Sequence, residues 1–191
     1  MESPFPEDAT YYDVFKYAFY SLFDADDLVC LADVTHDGVP EMLVVTVEEN
    51  GPVYGYVYQF LSSDSIRLIW FKEGGSFHCD GYFAWYLRET EKGYDLVEET
   101  FDMGCGIGIL TCEEYFLAAG SRVVIDTIYV SSDEDPDPNS GVGSVSVEAC
   151  DRFEQAVNEK LSGCAIIYRN ESNGNVECPS VETDPAIVFA K

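Results

Sequence analysis

The spacing of apolar side chains changes once, early in the chain. Between residues 10 and 23 Tyr11, Val14, Phe15, Ala18, Leu22 and Phe23 recur at helical intervals, with Thr10 placed to cap the segment and Asp13 three residues on. The acidic run DADD at 24–27 ends that pattern. Short apolar runs rich in β-branched and aromatic residues follow, and they predict strands near 28–33, 42–48, 53–61, 65–71, 78–88, 93–101, 107–117 and 122–131. Turn-forming stretches separate them: ENGP at 49–52, SSDS at 62–65, EGG at 73–75 and EKG at 91–93. Runs spaced by about ten residues and joined by short turns describe an antiparallel meander, not alternating strands and helices. In VYGYVYQFL, residues 53–61, Val53, Gly55, Val57, Gln59 and Leu61 share one face and Tyr54, Tyr56, Tyr58 and Phe60 the other. Both faces are largely apolar, which places this strand centrally.

A proline-containing acidic loop, SSDEDPDPNSGVGS at 131–144, precedes a second helical pattern. Ser146 caps it, Cys150, Phe153, Val157 and Leu161 form its stripe, and Gly163 stops it. CAIIY at 164–168 reads as one more buried strand. From Asn170 the chain turns polar and predicts no structure. The expectation is an α+β fold, an antiparallel meander sheet with an N-terminal and a C-terminal helix packed on it. Residues 1–169 form one domain in this reading, and 170–191 are a tail. No repeat of about 20 to 50 residues is visible, which argues against a complete propeller or solenoid.

Composition supports a packed core and alters the view of the surface. Of 191 residues 47% are hydrophobic and 14% aromatic, too many for a disordered chain. Yet 36 acidic residues stand against 10 basic ones, a net charge of −26. Such a surface repels nucleic acid and anionic membrane and attracts cations or basic proteins. The expected partner is therefore a basic protein, with no direct nucleic-acid contact and no membrane insertion, since no apolar run approaches the roughly 20 residues of a bilayer span. Met1 to Ala9 lacks the basic start and apolar stretch of a secretory signal. As written the chain reads as cytoplasmic, or as extracellular or cell-surface if a leader was removed. Seven cysteines with no Cys-x-x-Cys pair read mainly as small buried hydrophobes in a reducing compartment, with a Cys105–Cys112 disulfide as the alternative.

One stretch carries recognisable chemistry. In ADVTHDGVPEMLVV, residues 32–45, side-chain oxygens fall at Asp33, Thr35, Asp37 and Glu41, and Gly38 sits where the backbone must turn sharply. Hard cations such as Ca²⁺ take about six to eight oxygens, and alternating positions on a tight loop deliver them. Asp33, Thr35 and Asp37 supply the first, third and fifth positions, the carbonyl of Val39 the seventh and Glu41 the ninth. The bidentate glutamate that an EF-hand needs at the twelfth falls on Val44, so this is not an EF-hand. The plainer reading is a turn that keeps the geometry of such a loop without the ion.

This segment resembles the single calcium loops of FG-GAP and VCBS-type β-domains, Asp-x-Asp/Asn-Gly-Asp-Gly-x-x-Asp/Glu followed by an apolar strand. It is more closely similar to a group of acidic bacterial cell-surface proteins with one such loop in an α+β meander. The match covers about 14 residues, extended weakly by FAWYLRETEKGYDLVEE at 83–99, which resembles a hairpin that follows the loop in those proteins. The resemblance implies a Ca²⁺-stabilised structural element with Asp33, Asp37 and Glu41 as its best ligands, and a binding function without catalysis. Two residues depart from the pattern: Thr35 replaces a carboxylate or amide, and His36 replaces a glycine.

Material for catalysis is thin. The two histidines, His36 and His78, stand outside any His-Glu-x-x-His or Cys/His cluster, and His78 and Cys79 point to opposite faces if they lie on a strand. GCGIGIL at 104–110 runs into an apolar strand, not a capped helix, and so reads as tight sheet packing and not as a phosphate loop. Adjacent carboxylates at Glu48–Glu49, Glu98–Glu99 and Glu113–Glu114 are expected from composition alone. Residues 1–50 hold twelve acidic side chains against one lysine, Lys16, and 133–137 adds four acids in five positions. The reading that results is a non-catalytic acidic binding protein. The alternative is an inhibitor that presents carboxylates in place of nucleic-acid phosphates, as anti-CRISPR and nuclease-immunity proteins do, and a hydrolase without a recognisable motif is third.

Overall fold

A computed structural model describes residues 6, 9–47, 52–74, 82–104, 107–131, 147–170, 176–177 and 179–190. The first helix, α1 (Tyr11–Leu22), begins at a capping box: Thr10 Oγ1 accepts from the Asp13 N–H, and the Asp13 carboxylate accepts from the Thr10 N–H at 3.0 Å. The Thr10 hydroxyl, which donates to the same carboxylate at 2.6 Å, and the Thr10 N–H together lower the Asp13 pKa. Its buried stripe is Val14, Phe15, Ala18 and Phe19. Leu22, expected on that stripe, is 60% exposed, because the helix ends there and its apolar face is completed by Phe19 one turn earlier.

The predicted strands form, with ends shifted by a few residues. They are β1 (Leu28–Ala32), β2 (Glu41–Val47), β3 (Val53–Ser62), β4 (Ser65–Glu73), β5 (Tyr82–Thr90), β6 (Gly93–Gly104), β7 (Ile107–Phe116), β8 (Ser121–Ser131) and β9 (Ala165–Asn170), and a short β10 (Val176–Glu177) adds to them in the stretch expected to lack structure. The early part of the strand expected at 78–88 lies outside the described residues, as do Ser146 and nearly all of the 131–144 loop. All pairings are antiparallel. The fold class is α+β as the sequence predicts.

The meander divides into two sheets, ordered β1-β2-β3-β4 and β10-β9-β5-β6-β7-β8. Strands that are apolar on both faces need cover on both sides, and stacking the sheets supplies one of them. Leu43, Val45, Val53 and Val57 of the first sheet meet Phe83, Trp85, Leu87, Leu96 and Ile167 of the second in one buried cluster. The fit is close at Gly55, where a Cβ would lie 1.6 Å from the Trp85 ring. A side chain there would displace the indole from its edge-on contacts with Phe83 and Trp70, whose ring centroids lie 4.3 and 5.3 Å away.

Helices cover the outer faces, giving four layers in the order helix, sheet, sheet, helix. Phe15 and Phe19 of α1 pack on Val29, Met42 and Val44 of the first sheet. On the second sheet α2 (Val147–Leu161) sets Phe153 and Val157 against Ala84, Tyr86, Val97 and Cys112. Gly163 follows it at φ +80, the left-handed stop that the sequence indicates.

The stretch after Asn170 corrects the expectation of an unstructured tail. The Ser180 N–H bonds the Ile166 carbonyl on the second sheet at 2.9 Å, and the Thr183 carbonyl accepts from Val29 on the first sheet at 3.1 Å. Beyond them α3 (Pro185–Val188), capped by Asp184, delivers Phe189, 2% exposed, against Phe19 and Tyr12. Four helical residues are too few for a periodic signal, and it is the buried Phe189, the backbone bonds and the Tyr12 and Lys16 bonds to the Val188 and Phe189 carbonyls that make this segment a strap joining the sheets.

Candidate functional site

The calcium-type loop joins β1 to β2. Ala32 and Glu41 are directly paired, and their register places Glu41 on the face between the sheets, fully buried. Its carboxylate turns back under the loop. Oε2 accepts from the Val34 N–H at 2.9 Å and the Thr35 N–H at 3.2 Å, and Oε1 from the Thr35 hydroxyl at 2.8 Å. Burial raises the Glu41 pKa, and these three bonds oppose the shift. Thr35 therefore has a local reason: a hydroxyl donates to Glu41, where a carboxylate would repel it unless a cation lay between them.

The other expected ligands are committed in the same way. Asp33 accepts from the Asp37 N–H at 3.2 Å and the Gly38 N–H at 2.9 Å. Asp37 accepts from the Val39 N–H at 2.9 Å and from the Gln59 amide at 3.2 Å, and Gln59 in turn accepts from Arg67 at 2.7 Å. Glu41 thus serves the inner side of the loop and Asp33 and Asp37 the outer side. Among the described residues no three His, Cys, Asp or Glu side chains gather into a metal-holding group. Asp33, Asp37 and Glu41, the best candidate ligands, each accept from backbone N–H groups of the loop itself.

His36 explains its own departure from glycine. It sits at φ +60, and its Nε2 lies 3.1 Å from the Tyr94 carbonyl oxygen and 3.2 Å from Asp95 Oδ1. The Nε2–H is aimed at the carbonyl, so Asp95 Oδ1 accepts no hydrogen bond and meets the imidazole by proximity alone. The hairpin at 83–99 is thus the surface on which the loop rests. Tyr94 donates its N–H to the Asp33 carbonyl at 2.7 Å, and Gly93 is required there because a Cβ would come within 2.3 Å of that oxygen.

From Asp95 a chain of charges runs beneath α2. Arg88 bonds both Asp95 and Glu114, and Lys160 of α2 also pairs with Glu114. Asp95 is 3% exposed, and burial raises its pKa against the pull of Arg88. A second network lies on the opposite face of the same strands. Glu98, 1% exposed, holds Lys72 of β4 at 2.8 Å and accepts from the Trp85 indole at 3.2 Å, and Tyr115 donates to Glu113 at 2.9 Å. Arg122 completes it at 3.1 Å from Glu113. Burial raises the Glu98 pKa despite Lys72.

Of the neighbouring glutamates that composition seemed to explain, Glu98–Glu99 and Glu113–Glu114 are buried and not surface pairs, and Glu48–Glu49 lie outside the described residues. Glu98 and Glu113 face the gap between the sheets, whereas Glu99 and Glu114 face α2, as strand alternation requires. Nothing in the local pattern announces that they are buried. Neither network lines the clefts of about 580, 720 and 770 Å³. Burial pushes Cys30, which borders the cleft of about 580 Å³, and Cys112 up to about 12, away from a reactive thiolate. Cys112 is a free thiol, and its sequence-suggested partner Cys105 lies outside the described residues, with His78 and Cys79. Among the described residues no helix is long and apolar enough to cross a membrane. No family model matches the chain, and no curated protein or solved structure matches it either.

Proposed function

We propose that this is a non-catalytic acidic binding protein whose calcium-type loop is closed by Glu41 without an ion. The observation that carries the reading is the fate of the converging polar groups. Glu41, Asp95, Glu98, Glu113 and Glu114 are buried and engaged in clamping the loop, the sheets and α2, away from the clefts. A general acid or base must reach substrate, and these do not. What remains for solvent is an acidic exterior on a chain of net charge −26, suited to a basic protein.

Two measurements test it. Melting with added Ca²⁺ and with chelator should give the same temperature, and a rise with Ca²⁺ that chelator reverses would return the ion to the loop. Binding to a basic protein should weaken as salt rises. The phosphate-mimicking inhibitor is the alternative, and it requires in addition that the bound nuclease lose its affinity for nucleic acid in competition.

A further inference from the structure

The outer face of the first sheet is only partly covered. Phe15 of α1 meets Phe60, and Phe23, just past the helix, meets Tyr56 and Tyr58. Beyond them Tyr54 stacks on Phe71 at 6.1 Å and Tyr56 on Tyr58 at 6.3 Å, both pairs within 20° of parallel. Phe71 stays 50% exposed and Leu68 46% exposed on β4, an edge strand. The register sets Leu68 opposite Tyr58, Phe71 opposite Tyr56 and Glu73 opposite Tyr54, so all of them share this face.

The rim is negative. Asp24 and Asp27 line the cleft of about 720 Å³ beside Tyr20, Phe23 and Tyr56, and the exposed Asp26 adjoins them. This corner is also the C-terminal end of α1, whose last turn holds no basic residue, so the helix dipole adds to the carboxylates. Glu73 brings a carboxylate to the far end of the same face. The cations of β4, Arg67 and Lys72, alternate with Leu68, Phe71 and Glu73 and so belong to the opposite face, where Lys72 pairs with Glu98. A second copy would bring the same −26 charge and the same acidic corner, which argues against self-association through this surface.

We propose that Tyr54, Tyr56, Tyr58, Leu68 and Phe71, with Asp24 and Asp26 at their rim, form the docking surface for a basic polypeptide segment in which arginines alternate with apolar residues. Guanidinium groups stack on tyrosine faces and pair with the carboxylates, and the apolar residues cover Leu68 and Phe71. This rests on the acidic-binder reading and names its partner.

The probes are two fluorescently labelled decapeptides of equal charge, alternating Arg–Leu and Arg–Gly, titrated onto the full chain by anisotropy. Leu68→Ser with Phe71→Ser should weaken the Arg–Leu peptide at least about tenfold and leave the Arg–Gly peptide unchanged. Asp24→Asn with Asp26→Asn should weaken both. Both pairs of replacements are at exposed side chains, and near-ultraviolet circular dichroism confirms that the variants stay folded. Equal Arg–Leu binding by the wild type and the Leu68/Phe71 variant overturns the placement while the basic-partner reading stands. If neither peptide binds even at low salt, the basic-partner reading falls as well. Concentration-dependent dimerisation abolished by Phe71→Ser would make a second copy the occupant and overturn the proposal.

Discussion

The two sheets solve the same packing problem with different chemistry. Apart from Glu41, which closes the loop at the start of β2, the first sheet is held by hydrocarbon and aromatic rings: Val29, Met42 and Val44 lie under α1, and Leu43, Val45 and Val57 face the second sheet. The second sheet carries buried ions on both faces, with Glu98 and Glu113 toward the gap and Asp95 and Glu114 toward α2. Apolar contacts tolerate sliding and partial exposure, and the first sheet leaves Leu68 and Phe71 open. A buried charge tolerates neither, because each loses several kcal/mol without its partner. Both edge strands leave apolar side chains open, Leu68 and Phe71 on β4 and Val123 and Val124 on β8, but only those of β4 lie in an aromatic face.

Removing a cation from the second sheet should cause the largest damage. Arg88→Met strands Asp95 and leaves Glu114 with Lys160 alone, and a loss of about 3 to 5 kcal/mol in denaturant unfolding is expected. A loss under about 1 kcal/mol would place these charges among surface pairs. Gly55→Ala attacks the contact between the sheets and should cost about 3 kcal/mol by forcing Trp85 aside, with changed tryptophan emission as its signature. Glu41→Ala removes the two oxygens that accept three hydrogen bonds from the loop and should cost about 1 to 3 kcal/mol, with no recovery on adding Ca²⁺.

Acidity should act in the less common direction for carboxylates. Glu41, Asp95 and Glu98 all have raised pKa values, so each holds its proton more tightly in the folded chain than in the unfolded one. Their cost to stability is absent below the ordinary carboxylate range and sets in as pH rises through the raised folded values. Lowering pH from about 7 into the ordinary carboxylate range should therefore raise the melting temperature, helped by the raised Asp27 pKa and by relief of the −26 charge, whereas Asp13, with its lowered pKa, loses its contribution only below that range. A melting temperature that falls steadily over that window would contradict these assignments. The smallest effect belongs to the open face. Phe71→Ser should change stability by about 0.5 kcal/mol or less, in contrast to its effect on peptide binding.

Much of the framework was legible in the residues. The change from helical to alternating spacing near Asp27 located α1 and the strands, and Gly163 marked the end of α2. The two apolar faces of 53–61 identified β3 as central, but not that the second face met another sheet. The loop at 33–41 was visible as a unit, whereas the direction of Glu41 was not. A carboxylate that binds an ion and one that binds the loop's own N–H groups have the same spacing in sequence.

Local chemistry therefore determined the secondary structure, the acid excess and the position of the loop, since periodicity and turn propensity act over a few residues. Tertiary structure alone decided which carboxylates were buried, which aromatic rings stayed exposed and that Phe189 closed the core. Those outcomes depend on which strand faces which across distances the chain pattern does not encode, and on whether a charge finds its partner in a different element.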